Sequence, residues 1–364
     1  MKLSYLLPIL SILIVISISG CVDQTKETGK VTEIGEETTI TTTTIPKTST
    51  TSTSTTTSAT TSSTTTTTFG TTTTTILKTT VTTTIISTTT ITQTTTTTPT
   101  AADKIKISAF NIQIFGRTKR QKDHVMEILT MIAREFDIVL VQEIRDSSEE
   151  TVPYYLQKIN EMEEPKYDFV RSERLGRTTS KEAYAYFYNT ETVEFIEGSD
   201  YVYNDLDDVF EREPYIASFR SGNFDFTLVG IHTKPDDAYS EIAHLDDVVE
   251  SIETANPGEK DIIVMGDFNA DGTYFDEDDP TNPFKSSEYY WVITNDMDTM
   301  TKTAWTYDRI VMMNSTHNHE YVEDSAGVFY FDEEYEIDNE TLVWEVSDHY
   351  PIYAEFETGL TDDD

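Results

Sequence analysis

Polar side chains that could do chemistry stand at five places where an apolar run of this sequence begins or ends. They are Asn111, Gln142–Asp146, His232, Gly266–Asn269 and Ser347–His349. The ends of strands converge to form clefts in α/β folds, so we expect these side chains to share one pocket. Carboxylate and amide oxygens are good ligands for Mg²⁺, and two histidines can transfer protons. The metal-assisted hydrolysis of a phosphodiester requires this combination of groups.

Each cluster by itself also has a simpler structural interpretation. The run Gly266–Asn269 contains residue types that are favoured in turns. Glu143 could cap a helix, and a single histidine at the end of a strand is more often a hydrogen-bonded structural residue than a catalyst. The argument for chemistry therefore depends on the five clusters occurring together.

The apolar pattern between the clusters predicts interleaved strands and helices. Lys104–Phe110 alternates with the period of a half-buried strand, and Lys119–Phe136 carries apolar residues at helical spacing. A second helix is predicted over Asp236–Thr254, and further strands over Asp137–Val141, Tyr184–Tyr188, Tyr215–Phe219, Phe224–Ile231, Asp261–Met265, Tyr307–Met313 and Tyr350–Phe356. This succession predicts an α/β sandwich.

The composition divides the 364 residues into four segments. Residues 1–21 have the pattern of a lipoprotein-type signal peptide, ending in a lipobox whose Cys21 would be lipidated. Residues 22–102 are mostly Thr and Ser, which predicts a disordered stalk because so few apolar side chains cannot form a core. Residues 103–358 form the predicted catalytic domain, and residues 359–364 form an acidic tail.

The apolar run before Cys21 has an alternative interpretation as an uncleaved signal anchor, because it is almost long enough to span a bilayer. Both interpretations predict a domain on the extracellular face of the cell membrane or secreted from the cell. Cys21 is also the only cysteine, which excludes a disulfide bond within the chain. No pattern indicates a protein partner, so we expect a monomer.

The charge is strongly acidic, with 26 basic against 65 acidic residues and a net charge of −39. The excess lies after residue 102, because residues 1–102 contain five basic and five acidic side chains. An acidic surface repels polyanions at long range and argues against tight binding of nucleic acid. It does not exclude a nuclease that uses divalent metal, since bound cations reverse the local field. Solubility or adaptation to salt is the simpler explanation.

Seven motifs resemble the deoxyribonuclease I family, in the family's order, from Lys104 to Phe356. They are Phe110-Asn111-Ile112, Val141–Ser147, Leu175-Gly176-Arg177 with Lys181-Glu182, Arg212-Glu213-Pro214, Gly266–Asp271, Tyr307–Val311 and Ser347–Pro351. The Gly-Asp-Phe-Asn and Ser-Asp-His motifs occur across the wider endonuclease/exonuclease/phosphatase superfamily, whereas the second and third motifs are narrower. The resemblance implies a four-layered α/β/β/α sandwich of two packed mixed sheets and an extracellular endonuclease that hydrolyses DNA.

The resemblance also implies roles for individual residues. His232 with Glu182 and His349 with Asp308 would form two proton-transferring pairs, with His232 the expected acid for the leaving 3′ oxygen, although which histidine is acid and which is base stays open. A carboxylate beside an imidazole fixes its tautomer and raises its pKa. The Mg²⁺ or Mn²⁺ ligands would come from Glu143, Asp348, Asn111, Asp267 and Asn269, with Asp267 and Asn269 also orienting the attacking water and the phosphate. Arg145, Arg177, Arg212 and Asn269 would contact DNA phosphates.

The sequence departs from the family at two positions of the DNA-binding face. Gln113 replaces the usual Arg, and Ser180 replaces a Tyr that stacks in the minor groove. The loss of a cation and of a stacking ring should weaken duplex binding or change its sequence preference. The positions of a family disulfide are Gly272 and Trp305. Structural Ca²⁺ would be bound by two further sets of residues, namely Asp205, Asp208 and Glu213, and Thr299, Thr301 and Thr303 with Asp296 or Asp298.

Two other functions remain open from the sequence. A related phosphodiesterase could act on RNA, a phospholipid headgroup or a cyclic dinucleotide with the same catalytic residues. A non-catalytic surface adhesion module could retain the fold alone. The arginine motifs favour DNA over the first alternative, and the presence of every expected catalytic residue disfavours the second.

Overall fold

The computed structural model describes residues 66–69, 72–75 and 103–362. The chain divides into two units, Met1–Thr95 and Thr96–Asp364. In the first, strands β1 (Thr66–Phe69) and β2 (Thr72–Thr75) pair antiparallel, inside the region for which composition predicts no regular structure. The signal peptide, Cys21 and the rest of the predicted stalk lie outside the described residues. Within the described ranges, no helix is long and apolar enough to cross a membrane.

The second unit contains two mixed β-sheets. The first has the strand order β14-β15-β3-β4-β6-β5, and the second has the order β12-β13-β11-β10-β9-β7, with β8 also pairing with β9. The strands are β3 (Lys104–Phe115), β4 (Ile138–Ile144), β5 (Tyr167–Arg171), β6 (Ala183–Asn189), β7 (Glu194–Phe195), β8 (Tyr201–Val202), β9 (Tyr215–Ser221), β10 (Phe224–His232), β11 (Ile262–Asp267), β12 (Tyr289–Trp291), β13 (Asp308–Met313), β14 (Gly327–Val328) and β15 (Ile352–Glu357). The pairs β3–β4 and β10–β11 are parallel, and the other pairs are antiparallel.

Helices cover the outer faces of both sheets. They are α1 (Arg117–Arg120), α2 (Asp123–Ala133), α3 (Thr151–Asn160), α4 (Ala238–Ala243), α5 (Leu245–Ala255), α6 (Asn314–His319), α7 (Phe331–Glu334) and α8 (Glu340–Val346), with short 3₁₀ turns at Pro235–Asp237 and Pro283–Lys285. Helices α2, α3 and α8 pack on the first sheet, and α4 and α5 pack on the second. The predicted α/β/β/α sandwich is confirmed.

The central strands β4, β10 and β11 are buried on both faces, which explains their long apolar runs. Strand β3 alternates at its start but is buried on both faces from Ile107 to Ile112. In β3, Ile105 and Ile107 face the core between the sheets, whereas Phe110 and Ile112 face the helices. In β11, Ile263 faces the core between the sheets. Apolar side chains packed on both faces of these strands hold their polar ends in place.

The boundaries of three elements differ from the sequence prediction. The helix expected over Lys119–Phe136 is divided into α1 and α2, and the one expected over Asp236–Thr254 is divided into α4 and α5. Strand β3 continues past its expected end at Phe110 to Phe115, with a shift of register between Asn111 and Phe115. Such bulges redirect side chains and are common beside active sites.

Candidate active site

The ends of five strands bring the polar clusters together. In the parallel pair β3–β4, Asn111 lies opposite Gln142. In the second sheet, Asp267 lies opposite both His232 on β10 and Asp308 on β13. Neighbouring positions on adjacent strands hold side chains about 5 Å apart. The pairing of the strands therefore by itself brings His232, Asp267 and Asp308 close together.

Gln142 joins the two sheets at this level, a role that the sequence analysis did not assign. Its Nε2 donates to the Ile231 carbonyl, and its Oε1 accepts a hydrogen bond of 3.2 Å from the Asp267 amide. Gly266 lies beside it with φ +135°, and a Cβ there would be 2.2 Å from the Ile231 oxygen. The buried glutamine and the glycine together set the spacing between His232 and Asp267.

His232 forms the first histidine–carboxylate pair. Its Nδ1 lies 2.8 Å from Glu182 Oε2, and both side chains are buried. Burial alone would raise the pKa of Glu182, but His232, Arg212 and Arg145 lower it to about 2. Burial and Arg212 lower the pKa of His232, but Glu182 and Asp267 outweigh them and raise it. The carboxylate thus holds a proton on Nδ1 and leaves Nε2 facing the site.

His349 forms the second pair. Its Nδ1 lies 2.8 Å from Asp308 Oδ2, and again both groups are buried. Burial lowers the pKa of His349, but Asp308 and Asp267 raise it to about 10. Thr299, expected as a Ca²⁺ ligand, uses its hydroxyl oxygen to accept the amides of Tyr307 and Asp308. Its hydroxyl therefore supports the strand end that carries this pair.

Both histidines point at Asp267. Asp267 Oδ2 lies 3.3 Å from His232 Nε2 and 3.6 Å from His349 Nε2. Burial raises the pKa of Asp267, but the two histidines outweigh burial and lower it. The carboxylate is therefore ionised at neutral pH, between two imidazoles that approach it from different strands.

Three of the predicted metal ligands, Asn111, Glu143 and Asp348, come from strands or strand ends of the first sheet, whereas Asn269 follows β11 of the second. Asn111 Nδ2 donates to Asp267 Oδ2 at 3.0 Å and to Glu143 Oε1 at 3.4 Å. Asp348 is held separately, since Gln113 Nε2 donates to its Oδ2 at 2.8 Å. Asn269 donates its amide N–H to Asp267 and its Nδ2 to the Thr233 carbonyl.

A divalent cation fits this group of side chains. The Oδ1 atoms of Asn111 and Asp308 are buried without a hydrogen-bond partner, which is costly unless a donor or a cation satisfies them. Among residues 103–362, one set of histidine and acidic side chains has ligand atoms within 4.8 Å of one another, namely Asp267, Asp308 and His349. This set includes Asp267 but not the other predicted acidic ligands, Glu143 and Asp348. Oxygen ligands such as those of Asp267, Asp308 and Asn111 suit Mg²⁺ and Mn²⁺.

The three predicted phosphate-binding arginines have different environments. Arg145 is partly exposed and lies 2.7 Å from Glu182 and 3.2 Å from Glu143. Arg212 is buried and donates to the carbonyls of His232 and Thr233. Arg177 donates to two carbonyls of the loop before β9, at Asp208 and Val209. Only Arg145 therefore combines an exposed surface with contact to the site.

The rest of the Gln142–Asp146 cluster has a structural role. Asp146 accepts the amide and the hydroxyl of Thr151 at the start of α3, and it forms an ion pair with Arg120 at 3.2 Å. Burial raises the pKa of Asp146, but the hydroxyls of Ser148 and Thr151 lower it to about 2. Asp146 is thus a helix-capping residue outside the site.

Within residues 103–362, Asp205, Asp208 and Glu213 do not form a compact group of three acidic ligands. Asp205 accepts the Phe210 amide, Asp208 is exposed beside Arg177, and Glu213 is half-buried. In the second set Asp296 accepts the Thr294 hydroxyl, Asp298 and Thr303 are exposed, and the Thr301 amide donates to the Asp348 carbonyl. Both Ca²⁺ sites stay predictions.

The structure accommodates the missing tyrosine at Ser180 and the missing disulfide at Gly272 and Trp305 in different ways. Ser180 is exposed, and Tyr184, which could have replaced the missing stacking ring, is 1% exposed with its hydroxyl accepting the His232 amide. Tyr184 is therefore a structural residue. Trp305 packs its ring against Gly272, whose Cβ position is 3.6 Å away. Packing thus joins the two loops that the family disulfide would have linked.

Known proteins resemble this chain in sequence and in fold. Residues 108–349 match the model of the Endonuclease/Exonuclease/phosphatase family. The chain belongs to this family. It is 36% identical over 266 residues to deoxyribonuclease-1 of Oryctolagus cuniculus, covering 69% of this chain and 92% of the relative. It is 33% identical over 265 residues to deoxyribonuclease gamma of Rattus norvegicus, covering 68% and 83%.

The Endonuclease/Exonuclease/phosphatase fold is also found among solved structures. A humanised variant of D. rerio TDP2 superposes with a TM-score of 0.51 at 16% identity, covering 71% of this chain and all of that one. This likeness supports the fold alone. The identities to the two deoxyribonucleases confirm the narrower resemblance, so the chain is a deoxyribonuclease I-like member of the Endonuclease/Exonuclease/phosphatase family.

Proposed function

We propose that this protein is an extracellular, metal-dependent endonuclease that hydrolyses phosphodiester bonds of DNA by acid–base catalysis. The observation that carries the proposal is the convergence of two buried histidine–carboxylate pairs on Asp267, with Nε2 of His232 at 3.3 Å and Nε2 of His349 at 3.6 Å. A hydrolysis that activates water on one side of a phosphate and protonates an oxygen on the other needs two such groups.

The two imidazoles have the orientation that proton transfer requires. Glu182 and Asp308 each occupy Nδ1, so each Nε2 is the atom available to substrate. Because nearby carboxylates raise both histidine pKa values, each ring can carry a proton near neutral pH. One histidine would donate its proton to the leaving oxygen. The other must first give up its second proton, and its free Nε2 would then accept a proton from the attacking water, which Asp267 would orient between the two rings.

Glu143, Asp348 and Asn111 would hold Mg²⁺ or Mn²⁺. Asp267 and Asn269 would lie at the edge of this cation site. When bound, the cation supplies Lewis-acid polarisation of the phosphate and offsets the negative charge that develops on it. Arg145, which lies against both Glu143 and Glu182, would neutralise a further phosphate oxygen. A cation among these carboxylates would also allow an acidic protein to approach a polyanion.

DNA is the substrate class that the comparisons favour. The relatives named deoxyribonuclease are 33–36% identical over about 260 residues. RNA, phospholipid headgroups and cyclic dinucleotides remain alternatives because the acid–base pairs act on the phosphate rather than on the base. A purely adhesive role would leave the buried histidine–carboxylate pairs without a use.

The first hundred residues support the proposed extracellular location of the domain. A signal peptide that ends at Cys21, followed by a Thr/Ser-rich stalk, would tether the domain to the outer face of the membrane through a lipid. Cleavage or anchoring without lipid would also place it outside. Metabolic labelling with a palmitate analogue, compared between the wild type and Cys21→Ser, tests the lipid directly.

Relaxation of supercoiled plasmid tests the activity. A closed circle has no ends, so its conversion to open circles reports endonuclease cleavage rather than removal of terminal nucleotides. We expect the purified full chain to relax plasmid with Mg²⁺ and to stop when EDTA is added, and His349→Ala to be inactive. Hydrolysis of RNA or a cyclic dinucleotide with no cleavage of plasmid would contradict the assignment of substrate.

A further inference from the structure

Ile114 is an exposed apolar residue at the mouth of the site, with no part in the mechanism above. It lies in the bulge where the register of β3 shifts, directly after Gln113 and directly before the buried Phe115. Its side chain is 57% exposed and belongs to none of the three apolar cores of the described domain. Burial therefore does not explain why an isoleucine occupies this position.

The backbone of Ile114 also has an unfavourable conformation for its residue type. Its φ is +53°, in the left-handed region that β-branched side chains avoid. Among residues 103–362, the other non-glycine residues with positive φ are Glu143, Glu149, Asp208, Asn269, Asp324 and Glu336. All six are acidic or amide residues, so Ile114 is the one apolar, β-branched member of the set.

The backbone conformation of Ile114 places its amide N–H in a hydrogen bond. It directs the Ile114 amide to Glu143 Oε2 at 2.7 Å, while the preceding Gln113 donates to Asp348 at 2.8 Å. Ile114 thus lies between the two carboxylates on which the cation site would be built. Glycine or asparagine would give the same amide hydrogen bond with less strain. The isoleucine side chain must therefore contribute something that the folded protein alone does not use.

We propose that Ile114 is a substrate-contact residue whose side chain packs against the sugar and base edge of the nucleotide next to the scissile phosphate. The inference rests on the proposed nuclease function, because the Ile114 side chain would contact a nucleic-acid substrate bound between Glu143 and Asp348. Apolar side chains inserted beside sugars and bases are a known mode of groove binding. Here the contact adds affinity without adding positive charge, which suits a chain with a net charge of −39.

Two substitutions separate contact from strain. Ile114→Gly removes the side chain and relieves the positive φ, whereas Ile114→Leu keeps an apolar group of similar size without β-branching. On a labelled duplex oligonucleotide with Mg²⁺, we expect Ile114→Gly to raise KM about fivefold, as expected from burying roughly half of an isoleucine. Its kcat should change less than its KM, its melting temperature should not fall, and Ile114→Leu should keep a KM near that of the wild type.

A control and a second substrate sharpen the test. Leu360→Gly removes another partly exposed apolar side chain and should not affect KM. The backbone carbonyl of Leu360 accepts a hydrogen bond from Asn223, which directly precedes β10, whereas His232 is the last residue of that strand. Bis(p-nitrophenyl) phosphate has no sugar or base, so the loss caused by Ile114→Gly should be smaller on it than on DNA. An unchanged KM on DNA, or equal losses on both substrates, would overturn the contact role. A wild-type protein that cuts no DNA would instead refute the proposed function.

Discussion

Replacing Glu182 with glutamine should inactivate the enzyme while keeping its shape. Glu182 Oε2 lies 2.8 Å from His232 Nδ1, and Oε1 lies 2.7 Å from Arg145 and 3.3 Å from Arg212. A glutamine would turn its oxygen toward the two arginines and its NH₂ toward the imidazole. The NH₂ donor would then require Nδ1 to be an acceptor, which places the only ring proton on Nε2. His232 could no longer be held in the doubly protonated form.

The size of both effects follows from the structure. General acid–base groups contribute about 10²–10⁴-fold to the rate, so kcat should fall within that range. Lowering the pKa of Glu182 from 4.5 to about 2 corresponds to roughly 3 kcal/mol of unfolding free energy for this fully buried group. Because the pKa is depressed, that stabilisation is present above pH about 4.5 and is lost as the pH falls toward 2. The variant should therefore be destabilised at neutral pH, and the difference from the wild type should shrink in acid.

Plasmid cleavage and urea unfolding across pH 2–8 measure the two effects separately. Asp146→Asn is the matched control, since Asp146 is also buried, paired with an arginine and depressed in pKa to about 2, but touches no histidine. Its loss of stability should likewise shrink in acid, over the narrower window from pH 3.8 to about 2, and its kcat should not change. If Glu182→Gln stayed folded and retained a kcat within about threefold of the wild type, Glu182 would not act through His232, and the acid–base assignment would be wrong.

Three further outcomes are expected. His232→Ala and His349→Ala should each lower kcat about 10²–10⁴-fold with unchanged circular dichroism, and a wild-type rate in either variant would remove that histidine from the mechanism. Ca²⁺ bound by the loop that carries Asp208 and Glu213 should raise the melting temperature, because it would add about 2.7 kcal/mol to the free energy of unfolding at one hundred times Kd, whereas turnover should require Mg²⁺ or Mn²⁺. A melting temperature that ignores Ca²⁺ would exclude a structural ion. Ser180→Tyr should lower KM on plasmid at fixed salt, since stacking is worth roughly 1–3 kcal/mol, and an equal or higher KM would mean that the groove is read differently.

Much of the fold could be predicted from the sequence because its signals are local. The alternation in Lys104–Phe110 and the apolar run of Ile262–Met265 identify strands without reference to the rest of the chain. The division of one predicted helix into α4 and α5 could not be seen, because the apolar residues of both parts continue one helical spacing through Ala238, Ile242, Leu245 and Val248. Boundaries of this kind depend on how each segment packs against the sheet.

The candidate site, too, could be predicted from the sequence only in part. The residue types at the strand ends, and their order, identified the groups able to bind a cation and to move protons. Residue types alone did not reveal the role of Gln142 between the sheets, the burial of Tyr184 or the capping role of Asp146. Each of these depends on a partner that is distant in the sequence or on the direction of a side chain.

The sequence by itself therefore determined which groups this protein has for chemistry and the strands that carry them. Tertiary structure alone decided how those groups meet, since His232 and Glu182 are 50 residues apart and Gln113 and Asp348 are 235 residues apart. The register of β10 and β11 places His232 opposite Asp267, and a bulge in β3 exposes Ile114 beside Glu143. Local sequence sets the conformation of each strand, but the packing of two sheets through a shared apolar core determines which of their ends coincide.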